Sequence, residues 1–174
     1  KDIVIDNIGP SVTSVSSSTA DGAYRVGDVI VLTISLSENT IVAGTPQIAL
    51  ETGENDGVGH YSDGSGTATL SFKYTVEANH NSSDLDYTSS SGLTLNSGTM
   101  KDIIGLDANL TLPVPGVGGS LSYNKNIVID NIAPTISTAS IQDNGTLPVL
   151  ADSKITYTTS EGVTTATMLL ESKL

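Results

Sequence analysis

An all-β fold, built as a sandwich of about seven short strands and repeated in tandem, is predicted by three features of this 174-residue chain. Its hydrophobic residues are largely Val, Ile and Leu in short alternating runs, and no helical periodicity persists over a useful length. Clusters of Gly, Ser, Asn and Asp punctuate those runs about every ten residues. A ten-residue motif also occurs twice, as KDIVIDNIGP at Lys1 to Pro10 and as KNIVIDNIAP at Lys125 to Pro134, an offset of 124 residues. In each copy the β-branched IVI run reads as the last strand of a domain, and the Pro as the exit that stops pairing and stiffens the link onward. Residues 1–9 are then the last strand and linker of a preceding repeat, 10–133 a complete repeat, and 134–174 the start of the next.

Within the complete repeat, Ser11 to Ser18 is a Val/Thr/Ser strand, and Thr19 to Asp28 is a turn-rich connection. Val29 to Ser37 alternates well: Ile30, Leu32, Ile34 and Leu36 share one face, and Glu38 ends the run. Pro46 to Glu51 and Gly57 to Ser62 follow as strands, then a glycine-rich hairpin at Asp63 to Gly66. Thr67 to Val76 alternates again, with Leu70, Phe72, Tyr74 and Val76 inward. Asp84 to Thr88 begins a sixth strand, with Leu85 and Tyr87 on one side and Asp84 and Asp86 on the other. Leu93 and Leu95 continue that alternation, the stretch to Tyr123 is irregular, and Lys125 to Asp130 closes the unit. This spacing predicts immunoglobulin-like topology, with Tyr87 placed for a tyrosine corner whose hydroxyl caps a neighbouring backbone group. From Pro134 the pattern restarts: Thr135 to Ile141 matches the first strand, and Lys154 to Glu161 matches the strand ending in Ser37-Glu38.

Nineteen Asp and Glu against seven Lys and Arg give a formal charge of −12, too few bases to neutralise a phosphate backbone or an anionic membrane surface. Nucleic acid and membrane insertion are therefore not expected. Cysteine is absent, which excludes disulfides and thiolate metal sites. His60 and His80 lack zinc-ligand spacing and read as surface histidines. No nucleophile elbow or phosphate loop occurs, so no enzyme is expected.

Strand direction places the carboxylates. Successive antiparallel strands alternate between two poles, so the strand ending at Glu38 returns to the entry pole, beside Asp6 and Asn7. The strand ending near Glu77 finishes at the exit pole, with Asp84, Asp86, Asp130 and Asn131, and the restarted unit brings Glu161 there. Carboxylates gathered so closely repel one another unless they are protonated or a cation bridges them, and calcium accepts six to eight oxygens in loose geometry. The expected ligands are Glu77, Asp84, Asp86, Asp130, Asn131 and Glu161 at one junction, and Asp6 with Glu38 as half a site at the other.

IDNIAP followed by a strand ending in Ser-Glu, DLDY after the fifth strand, and KDIIGLDANL before a glycine-rich loop resemble the tandem immunoglobulin-like repeats of giant bacterial surface adhesins. The calcium logic is similar to that of cadherins at Asp84-Leu85-Asp86, Asp130-Asn131 and Glu161, although the linker lacks the first Asp and Asn of the cadherin motif. The resemblance implies a secreted or cell-surface extender module, with calcium-dependent rigidity and neighbouring repeats of the same chain as partners. Two other readings stand beside it. A host or surface glycan or protein could be bound through Tyr24, Tyr61, Tyr123 or Tyr157. The KDIVID strand could instead complete another molecule and build a fibre by strand addition.

Overall fold

The computed structural model describes residues 5–142, 154–159 and 162–166. Glu161 lies outside these residues. The chain divides into two compact units between Asn131 and Ile132.

The first unit is all-β, a curled and mainly antiparallel sheet. In chain order its elements are β1 (Val12–Ser17), β2 (Gly22–Tyr24), β3 (Val29–Ala43), β4 (Gln47–Glu51), β5 (Gly57–Asp63), β6 (Thr67–Thr75), β7 (Asp86–Tyr87), β8 (Leu93–Thr94), β9 (Thr99–Lys101), α1 (Leu121–Asn124) and β10 (Ile127–Ile129). The main sheet runs β1-β3-β6-β5-β4-β7, with β8 beside β4 and β9 beside the second half of β3. A separate parallel pair joins β10 to β2, Ile127 opposite Gly22 and Ile129 opposite Tyr24.

The alternation read from β3 and β6 is what fills the core. Ile30, Leu32, Ile34 and Leu36 from β3 and Leu70, Phe72, Tyr74 and Val76 from β6 are all buried, joined by Ile48, Leu50, Leu85, Tyr87 and Leu121. Gly59 on β5 faces this core because a Cβ there would stand 2.8 Å from Ile48 Cγ2 and 3.4 Å from Leu32 Cδ1. A side chain at that position would have to displace its neighbours in a densely packed interior.

Several expectations need correction. β3 does not end at Glu38 but continues to Ala43. Its register with β6 breaks between Ser35 and Thr40, and Ile41–Ala43 pair with β9 instead. Such a bulge leaves Glu38 on a locally unpaired stretch. The connection after β1 contains β2, which holds the last strand. His80 is not a surface histidine: its ring stacks on Tyr74 at 5.8 Å between centroids, the Tyr74 hydroxyl lies 2.7 Å from Nδ1, and the residue is 5% exposed. Tyr87 is buried as expected, and its hydroxyl donates to Pro113 O at 2.5 Å, a backbone group far downstream.

The parallel pair is pinned where it begins. Asp21 Oδ1 accepts from Lys125 Nζ at 2.7 Å and from Asn126 N at 3.3 Å. The Lys125 ammonium, helped by that N–H, holds the Asp21 carboxyl below its ordinary value of 3.8. An acid whose folded pKa is lowered stabilises the fold above its unfolded value, and this contribution is lost as pH falls through the folded one. Asp21→Asn should therefore lower the melting temperature at neutral pH and lower it less in acid, as the carboxyl takes up its proton. Paired thermal melts at neutral and acid pH check this.

In the second unit β11 (Ile136–Gln142), β12 (Lys154–Thr159) and β13 (Gly162–Ala166) form an antiparallel sheet in that order. The β11–β12 register shifts between Ile136 and Thr138, and the β1–β3 register shifts between Val12 and Ser14, the positions 124 residues earlier. The residues after Ser-Glu behave differently in the two units. In the first they extend β3 toward β9, and in the second Gly162–Ala166 pair back onto β12.

Candidate functional site

At the exit pole the side chain of Asn131 is fully engaged with backbone. Its Nδ2 donates to His80 O at 2.7 Å and Glu77 O at 3.2 Å, and its Oδ1 accepts from Val26 N at 2.6 Å. Its own N–H donates to Asn81 Oδ1 at 2.9 Å. Asn131 thus clasps the 77–81 loop and the turn before β3 to the end of β10. Asp130 donates its N–H to Tyr24 O at 2.9 Å. Glu77 and Asp84 are exposed. Partial burial, and then the neighbouring Asp86 charge, push the Asp84 carboxyl above its ordinary range.

Asp86 does not share Asp84's exposure: β7 holds only Asp86 and Tyr87, Asp84 lies in the bend before it, and Leu85, Asp86 and Tyr87 are all buried rather than alternating. Asp86 is 8% exposed, beneath the 113–122 segment. Its Oδ2 accepts from Ser122 Oγ at 2.6 Å and Gly116 N at 3.0 Å, while Oδ1 accepts from Tyr87 N at 2.9 Å. These bonds hold that segment against β7. Of the residues expected around one ion at this pole, the structure brings Asn131 to Glu77 through a backbone carbonyl and Asp84 to Asp86 through their charges.

At the entry pole the fold gathers carboxylates. Pro10 O accepts from Asn109 N at 2.7 Å, Ser11 N donates to Ser37 Oγ at 3.0 Å, and Ser37 N donates to Ser11 O at 2.9 Å. Gly9 passes so close to the 106–107 backbone that a Cβ would meet Asp107 O at 2.2 Å. Asp6 Oδ1 accepts from Ile8 N at 3.1 Å, a short turn that bends the segment. Together these contacts lay the linker across the end of the sheet. One carboxylate oxygen each from Asp6, Glu38 and Asp102 then lie within 4.8 Å of one another, the one such group among the described residues. Partial burial, followed by the charges of Asp6 and Asp102, raises the Glu38 carboxyl above its ordinary value.

Strand parity had placed Asp6 beside Glu38, and Asp102 is the member that sequence reasoning missed. Asp102 opens the DIIGL loop after β9, and its Oδ1 accepts from Ile104 N at 2.9 Å and Leu106 N at 2.8 Å. The available signal was an Asp followed by a tight glycine-containing loop directly after a strand ending at the same pole. Asp102 is 3% exposed, and its Oδ2 has no hydrogen-bond partner among the described residues. An oxygen left over in this way fits a hard cation such as calcium.

The tyrosines considered for ligand contact are largely occupied. Tyr24 donates its hydroxyl to Ala20 O at 2.7 Å, and Tyr61 packs edge-on to Phe72 while its hydroxyl accepts from Ser65 N at 2.9 Å. Tyr123 is 67% exposed, and the side chain of Tyr157 lies outside the described residues. A polar hollow on the sheet, lined by Asp56, His60, Lys73, Glu77 and His80 among others, presents no Trp, Tyr or Phe ring. No family model, curated protein or solved structure matches this chain.

Proposed function

We propose that the chain is a non-enzymatic extender module of a bacterial surface adhesin, secreted or displayed at the cell surface. In this reading it is an immunoglobulin-like sandwich repeat with calcium at its inter-domain linkers. The observation that carries the reading is the coincidence of two periodicities. The linker motif recurs at an offset of 124 residues, and the strand following each copy carries a register shift at that same offset. The sandwich reading is supported by a first strand on the main sheet followed by β2, which pairs in parallel with the last strand.

The mechanical consequence follows from how the linker leaves the fold. Asn131 is tied on both sides, so β10 delivers the chain from a fixed point rather than from a frayed end. Bound calcium supplies positive charge among linker and pole oxygens, which would otherwise repel one another. Removing it should return freedom to the joint. The charge of −12 keeps such an array solvated and discourages lateral association.

Small-angle X-ray scattering on residues 10–133 joined head to tail three times tests this. In calcium the expected particle is a rod with a narrow distance distribution, and in chelator the distribution should broaden and its maximum shorten. Identical profiles in the two buffers would remove the stiffening role.

A further inference from the structure

We propose that Asp6, Glu38 and Asp102 form a complete calcium site within the first unit, tying the linker segment before Pro10 to the fold that follows it. This deepens the calcium reading above and rests on it only for the identity of the ion. Sequence parity gave this pole half a site, with the rest to come from a preceding domain. Asp102 supplies the missing ligand from the unit's own β9 loop.

Exposed carboxylates gather on acidic proteins without binding anything, so the cluster by itself points nowhere. Asp102 is different in kind. Its Oδ1 is committed to the Ile104 and Leu106 N–H groups, which fix the carboxyl group in place. Its Oδ2 is buried and receives no donor among the described residues. An ionised oxygen held away from water without a partner is costly, and a cation is the partner that three neighbouring carboxylates can share. The adjacent Lys101 does not serve, because its ammonium is engaged by Asp107 and by Gly105 O. Among the described residues no Lys or Arg forms an ion pair with any of the three.

The geometry suits the ion. Two oxygens bound to one calcium at about 2.3–2.6 Å stand at most about 5 Å apart, and the three oxygens here lie within 4.8 Å of each other. The ligands come from a linker, a bulged strand and a loop. Magnesium demands near-ideal octahedral placement, whereas calcium tolerates an irregular shell with water filling the remainder. No imidazole or thiolate belongs to the group, which disfavours softer metals.

Calorimetric titration and thermal melts on the 174-residue chain, with calcium chloride as the probe, compare the wild type with Asp102→Asn and Glu38→Gln. Asp102→Asn keeps an oxygen for the two loop N–H groups, so the turn survives while the charge goes. The wild-type melting temperature should rise by about 5–10 °C at calcium a hundredfold above its dissociation constant. Each variant should bind at this site at least tenfold more weakly. In chelator each should melt at or above the wild type, because one of three mutually repelling charges has been removed. A merely structural Asp102 predicts the reverse, a variant less stable in chelator with its calcium response intact. That outcome, or an absence of calcium binding by the wild type, overturns the proposal. If these measurements succeed while scattering shows no stiffening, the site stands and the spacer role falls.

Discussion

Phe72→Ala should lower the unfolding free energy by about 3–5 kcal/mol, the range for emptying a buried aromatic site that only partly collapses. The ring is fully buried, pairs across the sheet with Leu32 on one side and Tyr61 on the other, and meets the Tyr61 ring edge-on at 5.8 Å. It is also the chain's one phenylalanine, in a protein without tryptophan, so no other apolar ring can move in to compensate. Urea denaturation of the two proteins measures the difference, with the midpoint falling and the slope unchanged. A cost below about 1 kcal/mol would mean that the site relaxes as a surface does.

Asp86→Ala should cost about 3 kcal/mol, since it strands the Gly116 N–H, the Tyr87 N–H and the Ser122 hydroxyl in a buried place. Asp86→Asn should cost nearly as much. Whichever way the amide lies, an NH₂ group faces an N–H that needs an acceptor, because Gly116 and Tyr87 address different oxygens. The sequence expectation for this residue was an ion ligand at the exit pole, and the two roles separate cleanly. A residue that fastens the 113–122 segment costs the same in calcium and in chelator, whereas a ligand costs more in calcium. Chemical denaturation of both variants in the two buffers decides between them.

The pattern of what could be read follows from the range of each interaction. β3 and β6 were legible because each is long and half-buried, so their sequences carry a period of two that nothing else imposes. The approach of Asp6 to Glu38 was legible for a related reason: counting antiparallel reversals needs only strand existence, and the extension of β3 beyond Glu38 did not alter which pole Glu38 occupies. β2 was hidden because three residues, Gly-Ala-Tyr, have no period, and their partner lies at the other end of the unit. The burial of Asp86 was not legible, because alternation says which side a residue faces, not what else crosses that side. Here an irregular segment does, and no periodicity records its path. His80 was misread likewise, as a loop residue whose burial depends on the Tyr74 ring reaching it. Asp102 is the loop residue with the largest consequence. Its meaning lies in an oxygen that remains unpaired only once the whole pole is assembled.

The parallel pairing of β2 with β10 also determines how the first unit responds to tension. Because the two strands point the same way, drawing the entry to β2 and the exit from β10 apart slides one strand along the other. Every hydrogen bond of the pair then bears load together, between Gly22 N to Asn126 O at one end and Asp130 N to Tyr24 O at the other. An antiparallel hairpin pulled from its open end would instead surrender its bonds singly. The Asp21–Lys125 ion pair and the Asn131 clasp sit at the two ends of this short ladder, where slippage would begin. A pair only three residues long is in this way placed to set the force at which the unit yields, as the buried core sets the temperature at which it melts.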